Sequence, residues 1–413
     1  MRRAGVLLLA GILLFGFTAC KVEVKEEYTT QENSTVPPED IDKIVYVRYT
    51  DEKYRNYFEY CEKAFEKSNK SVDIRLSCEP ENSKYLQNII NGSYTASTTM
   101  DVYMLSDSSI ATAYLAGVAA RNPYNDFSRD NYCDTALNAC SYGDYLIGYP
   151  MSYDTTVLVY RKEFLNKGNI NTFDNIKIFA ENADYSSEEL SMIESIFRCD
   201  LNGVFVNYGF VGKGMDIGGR LGTDENVLNL ANDDTLRFAE NYLTIIEYFN
   251  INKEEQYKEI LDKFISGKYL STIISTKDIT KLEECEFEYA MAEFPDYNNS
   301  DETSPLAVTQ CLVVNQNSDN IDVASDFARF ATYEAAGILY EQAGVLSARR
   351  ISYSDDRLNN VYDSYEKASN KNKIQYGEQI YPHIEIALHN IIEGNDIIEE
   401  FESVEEYMHN QLK

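Results

Sequence analysis

The chain has 413 residues, 44 % hydrophobic and 25 % charged, with a formal net charge of −31. That length corresponds to ~2–3 average domains of ordinary globular composition. So much negative charge excludes a nucleic-acid partner and electrostatic docking on anionic lipid, since both need a cationic face.

Arg2 and Arg3 precede an almost unbroken apolar run from Val6 to Phe17. The run is shorter than the ~20 residues of a membrane span and has the form of a signal-peptide core. It ends in Phe17-Thr18-Ala19-Cys20, which resembles a bacterial lipobox. Residues 1–19 are therefore read as a lipoprotein signal peptide and Cys20 as the acylated mature N-terminus. The rival reading is an ordinary secretory signal that happens to end in Cys. Residues 20–43 are acidic, rich in Glu and Thr, and carry Pro37-Pro38; they read as a polar tether.

From Ile44 the pattern becomes regular. Ile44 to Tyr49 reads as a strand, 52–68 as a helix, and Val72 to Leu76 as a second strand. Tyr85 to Ile90 is a helix stopped by Asn91-Gly92, and Asp101 to Leu105 a third strand. Ser108 to Ala116 is a short helix ended by Gly117. Strand and helix in alternation predict parallel pairing, with ligands at the carboxyl ends of the strands. That rule alone points to Tyr49-Thr50-Asp51 and Ser106-Asp107-Ser108-Ser109. Further on come a turn at Tyr142-Gly143-Asp144 and a β-rich stretch from Asp154 to Tyr160. Helices are expected around 186–197 and 233–249, with a strand from Gly203 to Tyr208 between them. A helix over 255–266 then leads into a strand from Tyr269 to Ser275.

With Cys20 acylated, seven Cys remain, an odd number that leaves at least one free thiol. Cys61 with Cys78, or Cys133 with Cys140, are the near pairs in sequence; the alternative is buried reduced Cys used as small apolar residues. No C-x-x-C spacing for zinc occurs.

The ordered set "DVYMLSD", "NPYNDF", "YGDYLIGYPMSYDTTVLVYRKEFL", "FISGKYLSTIIS", "FEYAMAEFPD" and "VASDFARFATYEAAGILYEQAGVLSARR" resembles the extracellular solute-binding proteins of ABC importers. The branch is the one that contains the maltodextrin-binding protein. Residues 143–165 match its hinge-crossing segment, 264–273 its F-x-x-G-K-x-x-x-x-I pattern, and 325–349 its S-x-x-F-x-x-F helix and turn, with Ser347 where Pro is usual. Gly394 to Lys413 matches its closing helical rhythm. The resemblance implies an α/β fold of the two-lobed periplasmic-binding-protein type (type II). Lobe one would be 44–152 plus 293–343, and lobe two 153–292 plus 344–413. Crossings would fall near Met151-Ser152-Tyr153, Ala292-Glu293 and Ala343-Gly344. It also implies a lipid-anchored monomer outside the cytoplasm that hands a small ligand to ABC permease subunits and needs no cofactor.

The ligand would lie between the lobes. The candidate contacts are Tyr49, Asp51, Ser106, Asp107, Tyr153, Asp154, Tyr208, Thr276, Thr309, Gln310 and Arg349. Each has a plainer role open to it. Tyr49 and Tyr208 suit core packing, Asp107 a helix cap, Asp154 a turn, and Arg349 an ion pair, with Arg350 as its rival. Mono- or oligosaccharides are the class this branch carries, held by polar side chains and an aromatic face. The usual Trp is missing, and Pro305 to Leu312 replaces the segment that would hold one.

His383, His389 and His409 make no H-E-x-x-H, and neither G-x-S-x-G nor a P-loop occurs. Gly212-Lys213-Gly214 with Gly218-Gly219 has the wrong spacing for phosphate. Asp296 to Glu302 lacks the Gly of an EF-hand loop and reads as a polar turn. Acid pairs such as Asp233-Asp234 and Glu283-Glu284 leave a glycosidase dyad open. The alternatives to a transport component are thus a surface lipoprotein enzyme such as a glycoside hydrolase, or a sensor or adhesion module on the same fold.

Overall fold

A computed structural model describes residues 41–95, 100–183 and 192–412; the expected signal peptide, Cys20 and nearly all of the expected tether lie outside them. In chain order the strands are β1 (Lys43–Tyr49), β2 (Val72–Cys78), β3 (Val102–Ser106), β4 (Ser141–Tyr142), β5 (Tyr145–Leu146), β6 (Tyr149–Asp154), β7 (Thr156–Arg161), β8 (Ser195–Arg198), β9 (Asp216–Ile217), β10 (Leu228–Asn229), β11 (Tyr269–Ser275), β12 (Tyr289–Ala292), β13 (Leu306–Val314), β14 (Leu346–Ser347) and β15 (Ser369–Asn370).

Two sheets organise the chain. The first has the order β14-β6-β13-β3-β1-β2, with β15 paired to β13; the second has the order β12-β7-β11-β8. β1 pairs in parallel with both β2 and β3, as the alternation predicted. β13 runs antiparallel to both β3 and β6. The first sheet buries Val45, Val47 and Ile74 under the helix Arg55–Ser68, which turns Tyr57, Phe58, Cys61 and Phe65 inward at helical spacing. The second half has its own aromatic core, in which Phe173, Phe197, Phe210, Phe294 and Tyr297 meet edge to face or tilted, apart from Phe173 and Phe210, which stack.

The chain changes sheet at Thr155, just past the segment Met151-Ser152-Tyr153, because β6 stays paired through Asp154↔Val308. It returns between β12 and β13. β14 then joins the first sheet through Leu346↔Tyr153. The closing pair consists of the helices Ile380–Ile392 and Ile397–Gln411, joined through Gly394 at φ 101°.

Four expectations are corrected. The helix from Tyr85 runs through Asn91-Gly92 to Thr95, because packing of Tyr85 and Ile89 outweighs the ~1 kcal/mol penalty of an interior Gly. Gly203 to Tyr208 is not a strand; Val204–Val211 is a helix. Its residues Val206 to Val211 are all buried, so the apolar run carries no period that separates helix from strand. The helix expected at 186–197 is strand β8 over Ser195–Arg198, and its earlier part lies outside the described residues. Finally, neither near pair of cysteines joins. Cys140 bonds to Cys311, while Cys61, Cys78, Cys133, Cys199 and Cys285 are free thiols. The bridge ties the end of the helix Asp134–Ala139 to the middle of β13. Gly148 makes room for it: a Cβ there would stand 3.0 Å from the Cβ of Cys311.

Candidate functional site

The carboxyl ends of β1, β2 and β6 converge with the end of β11 from the other sheet. Between them lies a cavity of about 270 Å³. On the first-sheet side, Asp51 accepts a hydrogen bond from the Lys53 amide at 3.0 Å and so starts the turn Glu52–Tyr54. The Lys53 ammonium stands 3.6 Å from that carboxylate. Tyr54 is buried, with its hydroxyl 2.9 Å from Ser152 Oγ. Glu81, beyond the end of β2, accepts from Ser106 Oγ at 3.3 Å. Gln310 contributes an amide whose oxygen is buried with no hydrogen-bond partner, leaving an acceptor open to a donor.

The second sheet supplies Thr276 and Lys277, and Asp154 joins the two sides. Its Oδ1 accepts from Ser275 Oγ at 2.7 Å and Thr276 Oγ1 at 2.8 Å. Its Oδ2 lies 3.0 Å from the Lys277 ammonium. Next to it, the Thr155 amide donates to Thr276 Oγ1 at 3.1 Å, and the Thr276 amide donates to Thr155 O at 2.9 Å. The point where the chain changes sheet is therefore a hydrogen-bonded joint beside the cavity.

Five of the expected residues line this cavity: Asp51, Tyr153, Asp154, Thr276 and Gln310. Ser106 stands just behind it through Glu81. Tyr153 lies flat on Tyr365, with centroids 4.0 Å apart and planes 4° apart. The Tyr365 hydroxyl meets Thr309 Oγ1 at 2.7 Å, so Thr309 is in a buried support layer. Tyr49 is 3 % exposed and stacks on Phe58 inside the first core. Tyr208 lines a separate cavity with Tyr381. Arg349 donates to Tyr333 O at 2.7 Å and lies over the Tyr333 ring, away from the cleft; Arg350 pairs with Glu366. The site residues missed in sequence are Lys53, Tyr54, Glu81, Ser152 and Lys277. All but Ser152 follow strand ends, so the carboxyl-end rule applied to every strand would have found them.

Asp107 is fully buried. Its Oδ1 accepts from the Ser108 amide at 3.1 Å, and its Oδ2 has no partner. Burial drives its pKa up, with Glu378 acting in the same direction, while Lys371 and Lys373 pull it back. The folded chain then binds a proton that the unfolded chain has already lost, so stability falls as pH rises from the ordinary carboxylate range toward neutrality. Lys373 is shifted down by burial and acts on the alkaline side. Asp107→Asn should therefore gain on the parent between pH 5 and pH 7.5 in urea unfolding midpoints; parallel curves would refute this.

Rival sites are filled by the chain itself. Asp296 Oδ1 accepts from the Thr303 amide at 2.8 Å and from Lys367 at 3.1 Å. Asn298 closes its own turn onto Ser300 and Asp301. Among the described residues no group of His, Cys, Asp or Glu is placed to hold a metal ion. His383 packs on the Tyr407 ring, centroids 3.7 Å apart.

Two α/β halves, a chain that passes repeatedly between them and a polar cavity lined from both define the two-lobed type II binding-protein fold. The model of the bacterial extracellular solute-binding protein family matches residues 63–358, and the chain belongs to that family. It is thus a binding protein rather than an enzyme. A maltooligosaccharide ABC transporter solute-binding lipoprotein of Streptococcus pneumoniae is 20% identical over 305 residues, covering 73% of this chain and 71% of the relative. Among solved structures, an extracellular solute-binding protein of Staphylococcus aureus in complex with maltose aligns with TM-score 0.78 at 16% identity, over 89% of this chain and 97% of its own. The maltose-binding periplasmic protein of Listeria monocytogenes aligns with TM-score 0.74 at 21% identity, over 90% and 98%.

Proposed function

We propose that this chain is the ligand-capturing lipoprotein of an ABC importer, held to the outer face of the membrane through Cys20 and taking up a maltooligosaccharide. The observation that carries the reading is the cavity whose wall comes from both sheets, with Asp154 reaching across it. Such a wall lets one small ligand stabilise a single angle between two lobes. We read the lobes as exchanging near Thr155, between residues 292 and 306, and again after β14.

The lining suits a sugar. Asp51, Glu81 and Gln310 Oε1 can accept hydrogen bonds, Lys53 and Lys277 can donate them, and Tyr54 supplies the aromatic carbon that Trp supplies elsewhere. Lys53 beside Asp51 and Lys277 beside Asp154 leave Glu81 as the unpaired acid of this lining, and burial shifts it toward its neutral form, which fits a neutral polyol better than a cation. The lobes would present the closed form to permease subunits, with the protein acting as a monomer. At a hundredfold excess over Kd, ligand adds about 2.7 kcal/mol to stability. Maltotetraose should therefore raise Tm by a few degrees. No shift with any maltooligosaccharide from two to seven units would overturn the ligand class.

A further inference from the structure

A second cavity, of about 250 Å³, shares no lining residue with the first. One wall is the helix Asp134–Ala139, which packs on β6 and β13 of the first sheet. The opposite wall is the loop Met215 to Gly222, which follows the second-half helix Val204–Val211. Residues 368–373 run between them, and their bonds go both ways. Asn370 Nδ2 donates to Thr135 O at 2.9 Å, and the strand pair Ser369↔Leu306 holds the segment to β13. The Lys373 amide donates to Gly222 O at 2.6 Å, and the Asn372 amide to the Tyr381 hydroxyl at 2.9 Å. Tyr381 sits on the helix Ile380–Ile392, which packs on Val204–Val211.

Lys373 joins the two sets of bonds. Its residue is 8 % exposed, and its ammonium donates to Asn138 O and to Ser141 O, the latter at 2.7 Å. One residue thus grips the first half with its side chain and the second half with its backbone. Burying an ammonium costs several kcal/mol even when it is hydrogen-bonded, and an apolar side chain of the same length would fill the space at lower cost. What only the lysine supplies is a directed tie between the two halves.

We propose that Lys373, with Asn370 beside it, is a clasp that limits how far the two halves part before ligand arrives, and so partly preorganises the protein for binding. Limiting the opening beforehand spares the ligand part of the ordering free energy of closure, and binding supplies the rest. The affinity part of this inference rests on the proposed ligand; the mechanical part does not.

The test uses the mature chain with Lys373→Met, Lys373→Arg and Asn370→Ala. Ligand-free small-angle scattering reads the angle, and calorimetry with maltotetraose reads Kd. The expected result for Lys373→Met is a larger ligand-free radius of gyration and binding weaker by about threefold or more. Lys373→Arg restores part of both, and Asn370→Ala gives a smaller change in the same direction. If Lys373→Met does not fold, Asn370→Ala against Lys373→Arg carries the comparison. Parental scattering and Kd in all folded variants, even with a lower Tm, would overturn the clasp and leave Lys373 a packing residue. Tighter binding would overturn it too. Failure of maltotetraose to bind the parent would overturn the ligand but leave the scattering comparison to decide the clasp.

Discussion

Asp154→Ala is expected to lower the free energy of unfolding by about 2–4 kcal/mol, measured by urea denaturation of the ligand-free protein. The carboxylate is 5 % exposed and accepts from Ser275 Oγ, Thr276 Oγ1 and, at 3.3 Å, the Lys277 amide. Removing it leaves those donors around a small void at the point where the chain changes sheet. Hydrogen bonds to a buried charge are the strong ones, and their loss makes up most of the effect. The ion pair with Lys277 adds little, because that side chain is 59% exposed and water screens it. Lys277→Ala should therefore change stability by under about 1 kcal/mol. If Asp154→Ala unfolds at the parental midpoint, the joint does not hold the halves as described.

Opening the Cys140–Cys311 bridge is the second large effect. The bond closes a loop with a sequence separation of 171 residues, and both cysteines are fully buried. The chain-entropy relation gives about 5 kcal/mol for a loop of that order, and measured disulfides more often give ~2–4 kcal/mol. A Cys140→Ser, Cys311→Ser double variant should lose a stability in that range, and strong reductant should shift the parent's urea midpoint toward the variant's. The bridge also bears on the site: β13 changes register between Gln310 and Cys311, and Gln310 lines the ligand cavity. A parental midpoint that ignores reductant would show the bridge contributes nothing.

The parallel strands and their helices were legible because each carries its own period. Val45, Val47 and Tyr49 alternate inward, and Tyr57, Phe58, Cys61 and Phe65 follow a helical stripe. The helix Val204–Val211 was not legible, since burial on every side erases the stripe. The disulfide was not either: its partners are brought together only by the antiparallel insertion of β13 between β3 and β6. The rule that ligands gather at strand carboxyl ends pointed to Asp51, and likeness to the family pointed to Tyr153, Asp154, Thr276 and Gln310; all five line the cavity. Neither separates a residue at a strand end from one whose ring turns into the core, which is why Tyr49 was expected in the cleft and packs on Phe58 instead. Arg349 failed for a related reason. A charge beside a turn says nothing about which way the guanidinium points, and here it lies over Tyr333.

Small-angle scattering of the mature chain with and without saturating maltotetraose tests the central claim, capture of a small ligand between two halves. The radius of gyration should fall on adding the sugar, and Asp51→Ala with Gln310→Ala should abolish the fall while leaving the ligand-free curve unchanged. Superimposable curves from a protein that calorimetry shows to be saturated would contradict the account.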